Sequence, residues 1–535
     1  MIALLLASPS STSALAIIAP YLAATIVVGQ IVRRKARNSG QFLHARRALP
    51  TWVTALAFVA ANCGALEVVG IVTASAKYGA LALDFYWIGA IPAMVFLALM
   101  MMPIYAQSGA MTMPDYLRLR YGQPTHLLSG ISLAVMMAFV SGISLYAIST
   151  VLHLFFGWKF FDVVLVTAAV VLCYALSGGL WATIYNELLQ FAMTVAGLLP
   201  LAWMVYREAR GPNGVLLRLP AEMRHLWGIP IAAPHTARMD VVGVTVGLAF
   251  ALSFGYWCTD FVLIQRALAA RTAEGSVRTP LLAAWVKLLF PFLIIFPGMA
   301  AAGLLRRQAA PRFDEALPLL MQHYYGPALL GLGVAAIVAS LMSGLAGNIT
   351  AFSALATHDL YREHLRPREK DSHYLRIGRM FTAVAAGLSV ATAYVAFRYN
   401  NLMDYLQLIF SLFNAPLCAL FVLGMFTTWA SPAGGFWGLL CGVLTAGAHN
   451  FAVREGWLVY GSQMSANFYG AIYGWVVCAV VTTTVSAITL RRTRDELHGL
   501  TFYTQTSDRV RISRKAWALA AGVVVACGAL DWIYR

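Results

Sequence analysis

Two charged residues of this sequence stand where charge is costly. Glu67 and Lys287 each lie inside a run apolar enough to span a bilayer, and at that depth an ionised group must be paired, hydrogen-bonded or turned to water. Glu67 could hold a solute or a proton, or serve only as a structural partner for a backbone amide or hydroxyl. Lys287, in Ala283-Ala-Trp-Val-Lys-Leu-Leu-Phe-Pro-Phe292, could donate to a solute hydroxyl or neutralise a carboxylate, or run its stem out to the inner interface. Smaller polar groups gather in Ser340-Leu-Met-Ser343-Gly-Leu-Ala-Gly-Asn348-Ile-Thr350. Hydroxyls at helical spacing, joined by carbonyls freed at a neighbouring helix break, are oxygen ligands for a hard, weakly charged cation such as sodium. The same run also suits close helix packing through small residues. Glu187, in Trp181-Ala-Thr-Ile-Tyr-Asn-Glu-Leu-Leu-Gln190, is a second intramembrane carboxylate, nearer the inside, for a cation, a proton or a basic loop. Tyr256 and Trp257 could stack on a sugar ring, seal a cavity or simply pack. No phosphate loop, H-E-x-x-H, nucleophile elbow or dinucleotide fingerprint is present, so nothing points to an enzyme.

The elements that must position these residues begin with the stretch from Thr51 to Lys77. It is long enough to cross a bilayer, yet Ala60-Ala-Asn-Cys-Gly-Ala-Leu-Glu-Val-Val-Gly70 puts an amide, a glycine and a carboxylate at its middle. A continuous lipid-facing helix tolerates that poorly, so the stretch reads as a broken membrane helix. A second break is expected near Ser253-Phe-Gly-Tyr-Trp-Cys-Thr-Asp260, at about the same depth into a span starting near Val241. Paired breaks at matched positions belong to transport folds built on inverted repeats; Gly64 and Gly255 as mere close-packing sites are the alternative.

With 60% hydrophobic and 11% charged residues over 535 positions, the chain is a polytopic membrane protein rather than a soluble globule. Its net charge of +16 comes from basic residues clustered in short loops, which argues against nucleic acid and for membrane orientation. The seven cysteines fall within apolar runs and include no C-x-x-C, so neither disulfide framework nor zinc site is expected. The first apolar run, Ala14 to Val32, is followed by Arg33-Arg-Lys35; it reads as a retained span with its N-terminus outside. About fourteen spans follow by length. They divide into residues 1–50 (an extra helix and a basic inner loop), 51–206 (a first set of five), 207–240 (an outer loop), 241–428 (a second set of five) and 429–535 (three further helices). Because five is odd, the two sets run in opposite senses. This topology puts about 24 of the 38 Lys and Arg on the inner side and about 13 outside.

The sequence resembles the sodium:solute symporter family, most closely its sodium-glucose cotransporter-like members. The resemblance rests on the Ala60–Gly70 segment, Met102-Pro-Ile-Tyr105, Thr112-Met-Pro-Asp-Tyr-Leu-Arg-Leu-Arg-Tyr-Gly122 and Ser177-Gly-Gly-Leu-Trp-Ala182. Ile264-Gln-Arg-Ala-Leu-Ala-Ala270, Lys287 with Pro291 and Pro297-Gly298, and Ser343 through Asp359-Leu-Tyr361 continue it in family order. It implies an all-α polytopic fold with a LeuT-type 5+5 inverted-repeat core. It also implies a sodium site at the carbonyls of Ala60, Cys63 and Ser340 and hydroxyls at Ser343 and position 344, where this chain has Gly344. Glu187 falls at the family's acidic position linked to a second cation, without the small hydroxyl residues expected near 346 and 347. Asn62, Tyr256, Trp257, Lys287 and Gln407 match hydrogen-bonding and gating positions of sugar-transporting members. Glu67, Tyr86 and Ser253 depart from them: the pattern has Gln, often Glu, and Asn there.

The expected activity is secondary active transport by alternating access, coupling a cation, sodium by resemblance, to a sugar or similar small polar solute. Gly344 and Glu67 keep open a proton-coupled or uncoupled transporter of an amino or carboxylic compound; a transporter-like sensor is a further alternative. No organic cofactor and no protein partner is expected. The setting is the lipid bilayer of a cell membrane, by composition a bacterial inner membrane.

Overall fold

The computed structural model describes residues 9–32, 42–43, 49–110, 112–227, 239–305, 312–397, 402–504 and 512–534; most of the basic loop expected at 33–47 and part of the outer loop lie outside them. In chain order the apolar helices are α1 (Pro9–Val32), then α2 (Thr51–Asn62) and α3 (Glu67–Leu83), which form one bent pair, and α4 (Phe85–Ser108). A short helix α5 (Met113–Tyr121) precedes α6 (Gln123–Phe156), α7 (Phe160–Ser177) and α8 (Gly179–Ala209). A second bent pair, α9 (Gly243–Thr259) and α10 (Phe261–Leu268), opens the next stretch. It is followed by α11 (Ala273–Leu305), the short α12 (Ala316–Tyr324), α13 (Pro327–Leu365), α14 (Asp371–Ala396) and α15 (Leu402–Phe426). The helices α16 (Pro432–Arg454), α17 (Gln463–Ile488) and α18 (Arg514–Tyr534) close the chain. Eleven of these are long and apolar enough to cross a bilayer singly, each bent pair does so as one broken span, and α1 adds a further apolar helix. Among the described residues there is no strand, only an isolated bridge between Leu49 and Ala270.

Apolar residues alone do not decide which helices are central, because lipid is as good a solvent for them as the protein interior. Burial decides it: 78% of the apolar core of α6, α13 and α15 is enclosed by protein, against 28% for α16 and α17 and 22% for α18. The last three therefore form a peripheral layer. The central helices carry the small and polar residues that let backbones approach and hydrogen bonds form. At Gly142, for example, a Cβ would come within 2.6 Å of the Thr392 backbone of α14.

The chain breaks where it was expected to, with one difference. Between α2 and α3 the axis bends by 57° at Cys63 and Gly64, whose backbones leave the helical region. Between α9 and α10 the bend is 48°, and it falls at Asp260, the last residue of the expected stretch and five residues past Gly255. Gly255 stays helical and serves packing: its missing Cβ leaves room for the backbone of Asn414 on α15, 3.1 Å from where a Cβ would sit. Asp260 has extended ψ, and its carboxylate accepts the Leu263 N–H at 3.0 Å, starting α10 anew. The α7–α8 connection is also tighter than expected. Gly179, at φ +53°, turns the chain there, packed so closely on Phe42 that a Cβ would lie 2.4 Å from its carbonyl oxygen.

The 107–122 region is more buried than an interfacial helix. Arg120 of α5 is fully enclosed and donates to the carbonyls of Gly424 (2.9 Å), Ala430 (2.9 Å) and Thr427 (3.1 Å). These are carbonyls at and beyond the end of α15, and a guanidinium fork reaches all three where a lysine ammonium cannot. Each charge-assisted bond to a buried carbonyl contributes about 1.5–3 kcal/mol. Arg120→Lys is therefore expected to lower the melting temperature of the detergent-solubilised protein by several degrees; an unchanged melt contradicts this role.

Candidate functional site

A helix that breaks in a membrane leaves carbonyls without their helical partners, and here α13 supplies new ones. The Ser343 hydroxyl donates to the Ala60 carbonyl at 3.1 Å, and the Ser340 hydroxyl donates to the Cys63 carbonyl in a short hydrogen bond. All four residues are buried. Ala60, Cys63, Ser340 and Ser343, picked from sequence, thus converge as two carbonyls and two hydroxyls facing one another across the α2–α13 contact. Gly344 is beside them: a Cβ on Gly64 would lie 3.0 Å from the Gly344 Cα, so the two backbones meet where the pattern called for a fifth, hydroxyl ligand. Such a set of neutral oxygens suits a small monovalent cation, which needs dipoles more than full charges.

One helical turn beyond the break, Glu67 meets Lys287. The ammonium lies 2.9 Å from Glu67 Oε1, with side-chain exposures of 0% for the lysine and 4% for the glutamate. It also donates to Asn62 Oδ1 in a short hydrogen bond and lies 3.8 Å from Cys63 Sγ. Aromatic faces of Phe290 (4.5 Å), Trp257 (5.6 Å) and Tyr86 (5.8 Å) surround it, a cation–π environment that partly replaces water. Lys287 does not run to the interface. Asn62 then passes the contact on, its amide donating to the Tyr256 hydroxyl at 2.7 Å.

A cavity of about 40 Å³ opens on the other side of Glu67. Glu67, Tyr86, Ser253, Tyr256, Trp257 and Gln407 line it together with Phe85, Phe410, Met403 and aliphatic residues. Six residues chosen from four separate stretches of sequence therefore face one space. Tyr256 packs on Phe410 with ring centroids 4.8 Å apart, and a second, adjoining cavity lies beyond them, lined by Asn62, Gly64, Tyr256, Asp260, Gly344 and Asn348 among others. Phe410 and Asp260 were not singled out from sequence. Phe410 was findable, since it follows Gln407 by three residues and so shares its helix face.

Glu187 stands apart from both groups. It forms a fully buried ion pair with Arg266, whose NH2 lies 2.6 Å from Oε1 and whose Nε lies 3.4 Å from Oε2. The guanidinium also donates to the Val262 carbonyl and to Gln265 Oε1. An arginine within the α10 segment was the sequence signal for this partner, because a buried guanidinium calls for a buried carboxylate.

A family model described as the sodium:solute symporter family matches residues 42–442. The chain is 32% identical over 469 residues to a sodium/mannose cotransporter of Bos taurus, covering 80% of this chain and 77% of that one. It is 27% identical to sodium/glucose cotransporter 1 of Mus musculus, over 90% of this chain and 76% of the relative. Among solved structures, a substrate-bound outward-open Na+-coupled sialic acid symporter superposes with a TM-score of 0.73 at 16% identity, over 90% of this chain and 99% of that one. A closed nucleobase-cation-symport-1 family transporter gives 0.54 at 11% identity, over 86% and 97%. The fold is therefore the LeuT-type helical architecture of these transporters.

The close approach of Gly64 and Gly344 can be tested directly. Gly64→Ala places a methyl group against backbone that cannot rotate away, forcing α2 from α13 and opening the Ser343–Ala60 contact. Cation-driven uptake by reconstituted protein is expected to fall about tenfold or more, equivalent to about 1.4 kcal/mol. Gly303→Ala, with nothing within 4 Å of the new methyl, is expected to transport as the parent does. Equal uptake by the two variants removes the contact from the site.

Proposed function

This chain belongs to the sodium:solute symporter family, and from that premise we propose that it couples the entry of one sodium ion to that of a sugar or similar small polar solute. It is a multi-pass membrane transporter and not an enzyme. The observation that carries the proposal is that both candidate sites are built on one broken helix. The Ala60 and Cys63 carbonyls face Ser343 and Ser340, and Glu67, one turn later, lines the cavity with Tyr86, Ser253, Tyr256, Trp257 and Gln407.

In this reading sodium replaces the hydroxyl protons as the partner of the two carbonyls and fixes the α2–α13 contact. Asn62, which lies between Ala60 and Cys63 in the chain, contacts both Lys287 and Tyr256. The solute then binds where this cavity lies, widening it, with the Tyr256 and Phe410 rings separating it from the adjoining cavity. Coupling is the difference in affinity of ion and solute for the outward and inward arrangements. We do not extend the ion count to Glu187, whose charge Arg266 already matches. Transport of a sugar-like solute draws support from the printed names of the relatives, sodium/mannose and sodium/glucose cotransporters, and from a cavity that pairs hydrogen-bonding groups with aromatic faces. The proton-coupled or uncoupled alternative keeps one specific observation in its favour, the glycine at 344. The direction of the N-terminus and a bacterial inner-membrane setting remain part of the proposal.

The test is uptake of labelled mannose, glucose and myo-inositol into proteoliposomes under an inward sodium gradient, a proton gradient and neither. Sodium-driven uptake of at least one is expected. Ser343→Ala is expected to raise the sodium concentration for half-maximal uptake about tenfold or more, with solute affinity at saturating sodium little changed. Uptake indifferent to sodium in the parent overturns sodium coupling and favours the alternative.

A further inference from the structure

We propose that the Glu67–Lys287 ion pair is a charge filter, which makes the solute cavity select uncharged polyhydroxylated molecules over their amino and carboxylate analogues. The inference rests on the cavity being the transport site and adds which solutes it admits.

Three observations carry it. First, the pair is closed on itself: Lys287 spends its ammonium on Glu67 Oε1 and Asn62 Oδ1, and it lies behind Glu67 rather than on the cavity wall. Second, Glu67 is the one charged residue lining that cavity among the described residues. Third, two polar atoms of the lining residues are left over. Glu67 Oε2 and the Tyr86 hydroxyl are both buried and have no hydrogen-bond partner among the described residues.

The chemistry that satisfies these leftovers is narrow. Glu67 Oε2 accepts and cannot donate while ionised, and the Tyr86 hydroxyl can do either. A solute offering neighbouring hydroxyls meets both, and since Lys287 already balances the carboxylate it brings no net charge into a low-dielectric site. A solute carboxylate meets Glu67 Oε2 head-on and finds the lysine shielded. A solute ammonium gains Glu67 as an acceptor, but the Lys287 ammonium behind it offsets much of that attraction, so the cost of taking the solute's charge out of water is left largely uncompensated. Asp260 does not alter the balance in the cavity, because it lies beyond Tyr256 in the adjoining space, accepting the Leu263 N–H at the start of α10.

Opening the pair from either end should invert the preference. Lys287→Gln leaves an unbalanced carboxylate facing the solute; Glu67→Gln leaves an unbalanced ammonium. The double variant Glu67→Gln/Lys287→Gln restores neutrality with other groups.

The experiment measures two quantities on the full chain in proteoliposomes: quenching of tryptophan fluorescence, Trp257 included, by added solute, and inhibition of labelled mannose, glucose or myo-inositol uptake. The probes are mannose, glucose, myo-inositol, glucosamine and glucuronate, at a pH where the amine is charged. The parent is expected to bind at least one neutral probe about tenfold more tightly than either charged one. Lys287→Gln is expected to shift the glucosamine-to-glucose ratio about tenfold or more toward the amine, Glu67→Gln the glucuronate-to-glucose ratio toward the acid, and the double variant to return to neutral preference. Charged probes that match the neutral ones in the parent overturn the filter while leaving transport intact. Neutral-selective binding without uptake overturns the transport reading and leaves the filter standing. Single variants that fold, as judged by retained binding of any probe, yet keep the parental order overturn it, as does the absence of binding by every probe.

Discussion

A backbone polar group exposed inside a bilayer must find a partner in the protein, because lipid offers none. The break between α2 and α3 creates several such groups at once, and the core of this structure is arranged to meet them. Ser340 and Ser343 supply hydroxyls to the Cys63 and Ala60 carbonyls. Lys287 lies beside the Cys63 sulfur and donates to the side-chain amide oxygen of Asn62, holding that residue in place next to the break. A break satisfied permanently by helical bonding would be inert. This one is satisfied by hydroxyl protons, which on the proposed reading a cation would replace, so the same constraint that threatens stability would make the segment responsive.

The two broken helices are also tied to each other. The Leu49 N–H donates to the Ala269 carbonyl at 3.1 Å and the Arg271 N–H to the Leu49 carbonyl at 2.9 Å, joining the segment before α2 to the end of α10. Thr54 and Thr279 hydroxyls lie 2.6 Å apart between α2 and α11, and the Asn62–Tyr256 bond joins α2 to α9 near the bend. A change at the α2–α13 contact therefore has a continuous path of hydrogen bonds to Tyr256. That path is a physical connection and not by itself proof of coupling, which requires two arrangements whose balance both ligands shift.

Much of this was legible in the sequence because the bilayer simplifies the code. Apolar length gave the spans, and a carboxylate, an amide and a glycine inside one of them gave the break. Of the residues that share the cavity, Glu67 was marked out by charge where charge is expensive and Tyr256 and Trp257 by their place at the expected second break, whereas Tyr86, Ser253 and Gln407 came from the family resemblance. What the sequence hid was partnership across distance. Nothing local to Glu187 distinguishes Arg266 from a basic loop as its counter-ion, and nothing local to Glu67 says that its partner lies 220 positions on. Which residue of the Ser253–Asp260 stretch carries the second bend was hidden for a related reason. Gly255 looks like a break until the Asn414 backbone is seen pressed against it, whereas Asp260 looks like an ordinary polar residue until it is seen capping a new helix.

Gly344 is the position where two demands meet. A hydroxyl there would give a cation a further oxygen, but Gly64 approaches so closely that its own Cβ would stand 3.0 Å from the Gly344 Cα. The absence of both side chains brings the α13 backbone against the break, and that proximity is what lets Ser340 and Ser343 reach the carbonyls of Cys63 and Ala60 directly. As a proposed cation site it would thus exchange one ligand for a tighter contact among the oxygens of Ala60, Cys63, Ser340 and Ser343. Fewer but closer oxygens hold a small ion less firmly than a full shell does, while the hydroxyl–carbonyl bonds hold the helices together without it. On this view the glycine shifts the balance between ion-bound and ion-free forms toward the latter, and ion affinity and the strength of the α2–α13 contact are set by the same pair of residues.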